Sequence, residues 1–115
     1  MPYSRRYLAP PTDACAANLR DASFRNRFGG RDGASCDDGH AETAPVGSFA
    51  AGAGTLHDAY GNVREWTSDC SGNCRDHVVV GLSWLSSPGD SLRESFEADT
   101  GHNTVGFRVA RDIER

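Results

Sequence analysis

The sequence predicts an irregular α+β domain of short strands joined by long ordered loops, and three observations carry that expectation. Thirteen glycines and five prolines among 115 residues supply many turns and leave little room for long helices. A helical period occurs only between Cys15 and Phe28, where Ala16, Leu19 and Ala22 recur at helical spacing. Apolar residues otherwise gather in short extended runs: His77-Val78-Val79-Val80 is continuously β-branched after its histidine, and Val105 to Ala110 alternates with period two. The length suits one domain burying about two-thirds of its unfolded surface. With 37% hydrophobic residues, a large regular core is not expected.

Taken in order, residues 1–14 contain Pro2, Pro10 and Pro11 without an apolar period and read as an irregular lead-in. The helical turn that follows is mostly polar, with Arg20, Arg25 and Arg27, and Gly29-Gly30 end it; Arg31 to Gly39 is a polar loop. Thr43 to Phe49 reads as the start of a strand anchored by Val46 and Phe49, followed by the small-residue loop Ala50 to Gly54. Tyr60-Gly61-Asn62 suits a tight turn with left-handed torsions, and Val63 to Trp66 then reads as extended chain. In that strand Val63 and Glu65 share one face, Arg64 and Trp66 the other. Ser68 to Arg75 is expected to be a tight loop, and His77 to Val80 a buried strand continued by Ser83-Trp84. Leu85 to Asp90 is a loop, Leu92 to Phe96 a short strand, Asp99 to Thr104 a turn and Val105 to Ala110 the closing strand, with Val105, Phe107 and Val109 on one face. Residues 15–111 form the domain and 112–115 a tail.

A net charge of −4 and a pI near 5.4 give no electrostatic footprint for nucleic acid or anionic lipid. Met1 to Leu8 has basic residues but no apolar run after them, so it is not a secretory signal, and no stretch has membrane-spanning length. As written, the chain is expected in the cytoplasm. Four cysteines suit disulfides and an oxidising compartment, and a signal upstream of Met1 would make the protein periplasmic or secreted.

Candidate chemistry centres on Leu56 to Trp66. Asp58 and Glu65 bracket its turn, so two carboxylates and the carbonyls freed by the bend can converge on a hard cation such as Ca²⁺; the alternative is two solvated acids beside a surface turn. Cys70 and Cys74 enclose three residues including Gly72, which brings their Cα atoms within the ~5.5 Å a disulfide requires; a local staple or two reduced thiols is expected in preference to a redox or metal function. His40, His57, His77 and His102 show no His-x-x-x-His pattern, and Ser83 and Ser86 lack a Gly-x-Ser-x-Gly elbow, so no nucleophile is assigned. Arg93 and Arg108 are expected to pair with Asp99 or Glu97 in preference to recognising an anion, the alternative being a ligand groove that uses them.

Four motifs in order, Thr43-Ala44-Pro45-Val46-Gly47-Ser48-Phe49, Gly61-Asn62-Val63-Arg64-Glu65-Trp66, Gly81-Leu82-Ser83-Trp84 and Val105-Gly106-Phe107-Arg108-Val109-Ala110-Arg111, resemble the formylglycine-generating enzyme (sulfatase-modifying factor) family, in its bacterial type. The resemblance runs from about Asn18 to Arg111 and looks like the C-terminal portion of a domain normally well over twice this length. It implies a C-type-lectin-like fold, here truncated at its N-terminus, with short antiparallel strands and up to two Ca²⁺ ions. Carried across by position, the first ion falls on Asn18, the Leu19 carbonyl, Asp38 and the His40 carbonyl. The second falls on Asp58, the carbonyls of Gly61 and Val63, and Glu65; Asp58 stands where some members have Asn, which keeps an oxygen ligand. Oxygen-only ligand sets favour Ca²⁺ over transition metals. Cys15 and Cys36 flank the first site, and a disulfide between them would contribute about 3 kcal/mol by closing a long loop. The four cysteines have no zinc-motif spacing.

The resemblance also implies what this chain lacks. Active members oxidise a substrate cysteine to formylglycine with molecular oxygen and a Cu(I) ion held by two cysteines, and Cu(I) requires soft thiolates. At the matching positions stand Ser86 and Ser91, which speaks against copper; Leu82 replaces a frequent Gly and Val80 a frequent Arg. Three readings follow: a non-catalytic, Ca²⁺-stabilised scaffold or recognition module, part of an oxidoreductase completed by a missing N-terminal half, or a lectin-fold variable ligand-binding protein. Its partner is expected to be a protein or peptide ligand or that missing half, with catalysis left open.

Overall fold

The computed structural model describes residues 14–51, 56–109 and 111. A single 3₁₀ turn, Ala14–Ala16, leads into helix α1 (Ala22–Phe28), and a four-stranded sheet follows, built from β1 (Arg64–Ser71), β2 (Asp76–Val80), β3 (Arg93–Glu97) and β4 (Val105–Gly106). The strand order is β3-β2-β1-β4. The first three strands pair antiparallel, but β4 pairs parallel to β1 through Arg64↔Val105 and Glu65↔Gly106. The sheet is therefore mixed, which corrects the expectation of antiparallel strands alone. Among the described residues no helix is long and apolar enough to cross a membrane.

Helix α1 begins where Asp21 adopts an extended backbone and accepts a hydrogen bond from the Ser23 N–H, satisfying one orphan donor of the first turn. It ends at Gly29, whose φ of 87° a side chain disfavours and whose N–H reaches the Arg25 carbonyl at 2.8 Å. The apolar positions chosen from the helical period divide: Leu19 is fully buried, whereas Ala16 is exposed.

Strand β1 extends past Trp66 to Ser71, into the first part of the segment expected to be a tight loop, and after the turn over 72–75 it meets β2 in a hairpin with an irregularity between Trp66 and Cys70. Polar residues hold it there, since Thr67 Oγ1 donates to the Val78 carbonyl at 2.8 Å. Strand β2 stops at Val80 instead of continuing to Trp84. Gly81 turns the chain at φ 85°, and a Cβ there would meet the Ala59 carbonyl oxygen at 2.9 Å, so only glycine allows this approach.

The core lies where the sheet and the turn after it meet the segment from Ala17 to Ala44, α1 included. Leu19, Phe24, Ala34, Ala44, Val78, Val79, Val80, Leu82 and Trp84 are buried, and Leu19 and Leu82 alone remove about 1.5–3 kcal/mol each of apolar exposure. Three expected core residues are not part of it: Val46 is 88%, Phe107 79% and Val109 85% exposed. No strand forms over Thr43 to Phe49, because Pro45 to Ser48 makes a turn closed by Ser48 N–H to the Pro45 carbonyl at 3.2 Å. The closing strand shrinks to two residues, and Ala110 falls outside the described residues, as do the lead-in up to Asp13, the small-residue loop over 52–55 and the tail.

Candidate functional site

The first group of interest is assembled by the loop 17–21 and the turn after Asp37. Asn18 is fully buried; its Nδ2 donates to the Glu42 carbonyl at 2.9 Å and to Asn62 Oδ1 at 3.0 Å. Both amide hydrogens are thereby used, and Oδ1 is left without a partner. Asp38 bends the chain by accepting the His40 N–H on Oδ1 at 2.8 Å, while its Oδ2 is buried and also has no partner. Among the described residues these two oxygens are the buried side-chain polar atoms that lack a hydrogen bond. Asp21, also buried, sits between the segments: Oδ1 caps α1 and Oδ2 accepts the Asp38 N–H at 2.9 Å. Burial raises the Asp38 carboxyl above the usual carboxylate range; the His40 N–H opposes the rise, and the Asp21 carboxylate adds to it. Leu19 and His40, expected to offer carbonyls, flank this group.

The second group surrounds Asp58, Gly61, Val63 and Glu65, and it is arranged differently. Glu65 is 5% exposed, and both its oxygens are taken by one guanidinium: Arg108 Nε donates to Oε1 at 2.7 Å and Nη2 to Oε2 at 3.0 Å. Nη2 also donates to the His57 carbonyl at 2.7 Å. Asp58, at φ 58°, accepts the Gly47 N–H on Oδ2 at 2.8 Å. A cleft of about 470 Å³ opens here, lined by Val46, Leu56, Val63 and Phe107 along its apolar side and by Asp58 and Arg108 among its polar residues. Gly61 lies against the first group, where a Cβ would come 2.8 Å from the Asn18 carbonyl oxygen.

Ser86 is buried and fully engaged within its turn. Its Oγ accepts the Ser83 N–H at 3.0 Å and lies 3.3 Å from Ser83 Oγ. Ser91 is exposed and donates from Oγ to the Arg93 carbonyl at 3.0 Å. The stretch from Gly81 to Ser91 is held at both ends by Arg64, a buried arginine on β1 whose Nη1 donates to the Gly81 carbonyl at 2.8 Å and the Ser91 carbonyl at 2.9 Å. Disulfides join Cys15 to Cys36, with Cα atoms 5.8 Å apart, and Cys70 to Cys74, 4.8 Å apart, so no cysteine is free.

The sequence profile of the sulfatase-modifying factor enzyme 1-like domain matches residues 6–113. The chain belongs to this family. Two solved structures agree with that membership. The structure of PvdO from Pseudomonas aeruginosa is 25% identical with a TM-score of 0.57, covering 66% of this chain and 36% of that one. The crystal structure of CarF is 28% identical with a TM-score of 0.54, covering 63% of this chain and 29% of that one. The chain thus spans about a third of the length of each. No curated protein is significantly similar to it.

Within this family framework the structure places Asn18 beside Asn62 and Asp38 beside Asp21, and it ties Glu65 to Arg108. Three participants escape a reading of the sequence. Asp21 resembles any helix cap, Arg64 any exposed strand residue, and Asn62 any turn residue. For Asn62 alone a local signal exists, since a non-glycine residue in a Gly-Asn turn is the one able to hold φ at 73° and use its amide. Arg93 and Arg108 pair with Asp69 (3.7 Å) and Glu65 rather than with Asp99 or Glu97, because the sheet order and not sequence proximity sets their neighbours.

Proposed function

We propose that this chain is a non-catalytic, calcium-stabilised recognition or scaffold module of the sulfatase-modifying-factor family. The observation that carries the reading is the state of its sulfur. All four cysteines are paired in disulfides, and hydroxyls stand at Ser86 and Ser91, the positions matched to the family's copper-binding cysteines. Cu(I) needs thiolate donors, and the Ser86 hydroxyl is already engaged with Ser83, so these residues do not fit copper.

The donor chemistry of the first group supports Ca²⁺ as the cation. Two buried oxygens without hydrogen-bond donors, one of them on a carboxylate beside a second carboxylate, are the hard ligands that a calcium ion takes. Asn18 and Asp38 would hold the ion through these side-chain oxygens, with the Leu19 and His40 carbonyls completing the protein's share. The ion would supply positive charge against the Asp21–Asp38 pair. A recognition role is supported by the apolar residues Val46, Phe107 and Val109, the first two of which line the cleft and all of which are left mostly exposed. The partner suited to such a surface is a protein or peptide, including a separately encoded remainder of the family domain.

The test is incubation of the purified protein with a sulfatase-type cysteine peptide, Cu(I) and oxygen, read by mass spectrometry. The expected result is no formylglycine above a no-protein control. Conversion above that control would overturn the non-catalytic reading.

A further inference from the structure

The geometry points to an internal guanidinium in place of a cation at Glu65: we propose that Arg108 clasps the 56–65 loop without metal and that the chain therefore takes one calcium ion rather than two. The argument starts from the carboxylate. Glu65 is 5% exposed, so its charge requires a partner inside the fold. That partner is Arg108, whose Nε and Nη2 take Oε1 and Oε2 in a two-pronged arrangement at 2.7 and 3.0 Å, the geometry in which a planar guanidinium matches a carboxylate best. The negative charge is balanced before any ion arrives. A dication at Glu65 would stand within one carboxylate's width of a fixed positive group, and the two would repel.

One oxygen of Asp58 already has a donor as well: Oδ2 accepts the Gly47 N–H at 2.8 Å. The two buried side-chain oxygens left without donors among the described residues both belong to the first group, on Asn18 and Asp38, and none belongs to the second. The clasp also has a structural task. Arg108 Nη2 reaches the His57 carbonyl at 2.7 Å as well as Glu65, so one side chain joins the loop, strand β1 and the closing segment. That closing segment has only two residues in the sheet, and Phe107 and Val109 on either side of Arg108 are exposed. Arg108 thus fastens it beyond the β4 pairing.

The count of one ion rests on the proposed first site, whereas the clasp does not, and the experiment separates them. Equilibrium dialysis with radioactive calcium is run on the wild type, Asp38→Asn and Glu65→Gln. In parallel, the Arg108 Nε–H resonance of calcium-saturated wild type is followed by ¹⁵N NMR, assigned with Arg108→Lys. One ion per chain is expected, lost in Asp38→Asn and kept in Glu65→Gln, with an Arg108 Nε–H signal protected from exchange. No bound ion with a protected Arg108 signal would overturn the first-site reading and the count of one while supporting the clasp. Two ions, loss of the ion in Glu65→Gln, or an Arg108 signal that vanishes at saturating calcium would overturn the clasp. The NMR arm needs no variant at Glu65, so a misfolded Glu65→Gln leaves the proposal open to refutation.

Discussion

Asn18 Nδ2 donates to Asn62 Oδ1 at 3.0 Å across 44 residues of sequence, and around this pair four segments of the chain are joined. The Asn62 N–H returns a bond to the Asn18 carbonyl at 2.9 Å, its side chain exchanges bonds with both the N–H and the carbonyl of Ala44, and its own carbonyl accepts the Trp84 N–H at 2.8 Å. The segments 18, 42–44, 61–62 and 84 thereby share one buried polar network, and its position sets where the Asn18 oxygen can point.

Replacing Asn62 should therefore destabilise the fold out of proportion to its size. Asn62→Gly keeps the positive φ but removes three buried side-chain hydrogen bonds, for an expected loss of about 2–4 kcal/mol. Asn62→Ala should lose about 1 kcal/mol more, because an alanine pays the left-handed torsion as well. Urea titrations of the three proteins measure both steps, and equal stability of wild type and Asn62→Gly would refute the network's role.

Calcium should raise the melting temperature, and Asp38 should carry the effect. At a calcium concentration about one hundred times the dissociation constant, mass action stabilises the native state by about 2.7 kcal/mol. Asp38→Asn should abolish the difference between calcium and chelator. In chelator the same variant should melt no lower than wild type, because the substitution relieves the repulsion between the Asp21 and Asp38 carboxylates. Calorimetry in both buffers decides the matter; an undiminished calcium response in Asp38→Asn would place the ion elsewhere.

Alkaline pH should weaken the fold through Tyr60. Burial, and then the Asp90 carboxylate, raise its phenol above the ordinary value of 10.0. The native state holds this proton more tightly than the unfolded chain does. The resulting stability is complete below pH 10 and is lost as pH rises through the raised pKa. Tyr60→Phe keeps the ring without the ionisation, so its melting temperature should fall less steeply above about pH 10. Absorbance titration near 295 nm should show the late-ionising phenol disappear in that variant, and unchanged curves would contradict the assignment.

What the sequence by itself determined is the set of local signals. The β-branched run of β2, the end of α1 at Gly29-Gly30, the turn at Tyr60 to Asn62 and the four family motifs all rest on neighbouring residues, whose propensities act within a few positions. Only the tertiary structure decided which groups meet. Arg108 finds Glu65 across 43 residues because β4 lies parallel beside β1, and the two-residue length of that pairing is also why Phe107 and Val109 leave the core. Arg64 is buried for a similar reason, since the loop from Gly81 to Ser91 folds over it and offers two carbonyls to its guanidinium. Burial and charge pairing are properties of a surface made by distant segments, and a one-dimensional pattern holds no record of which segments will cover which.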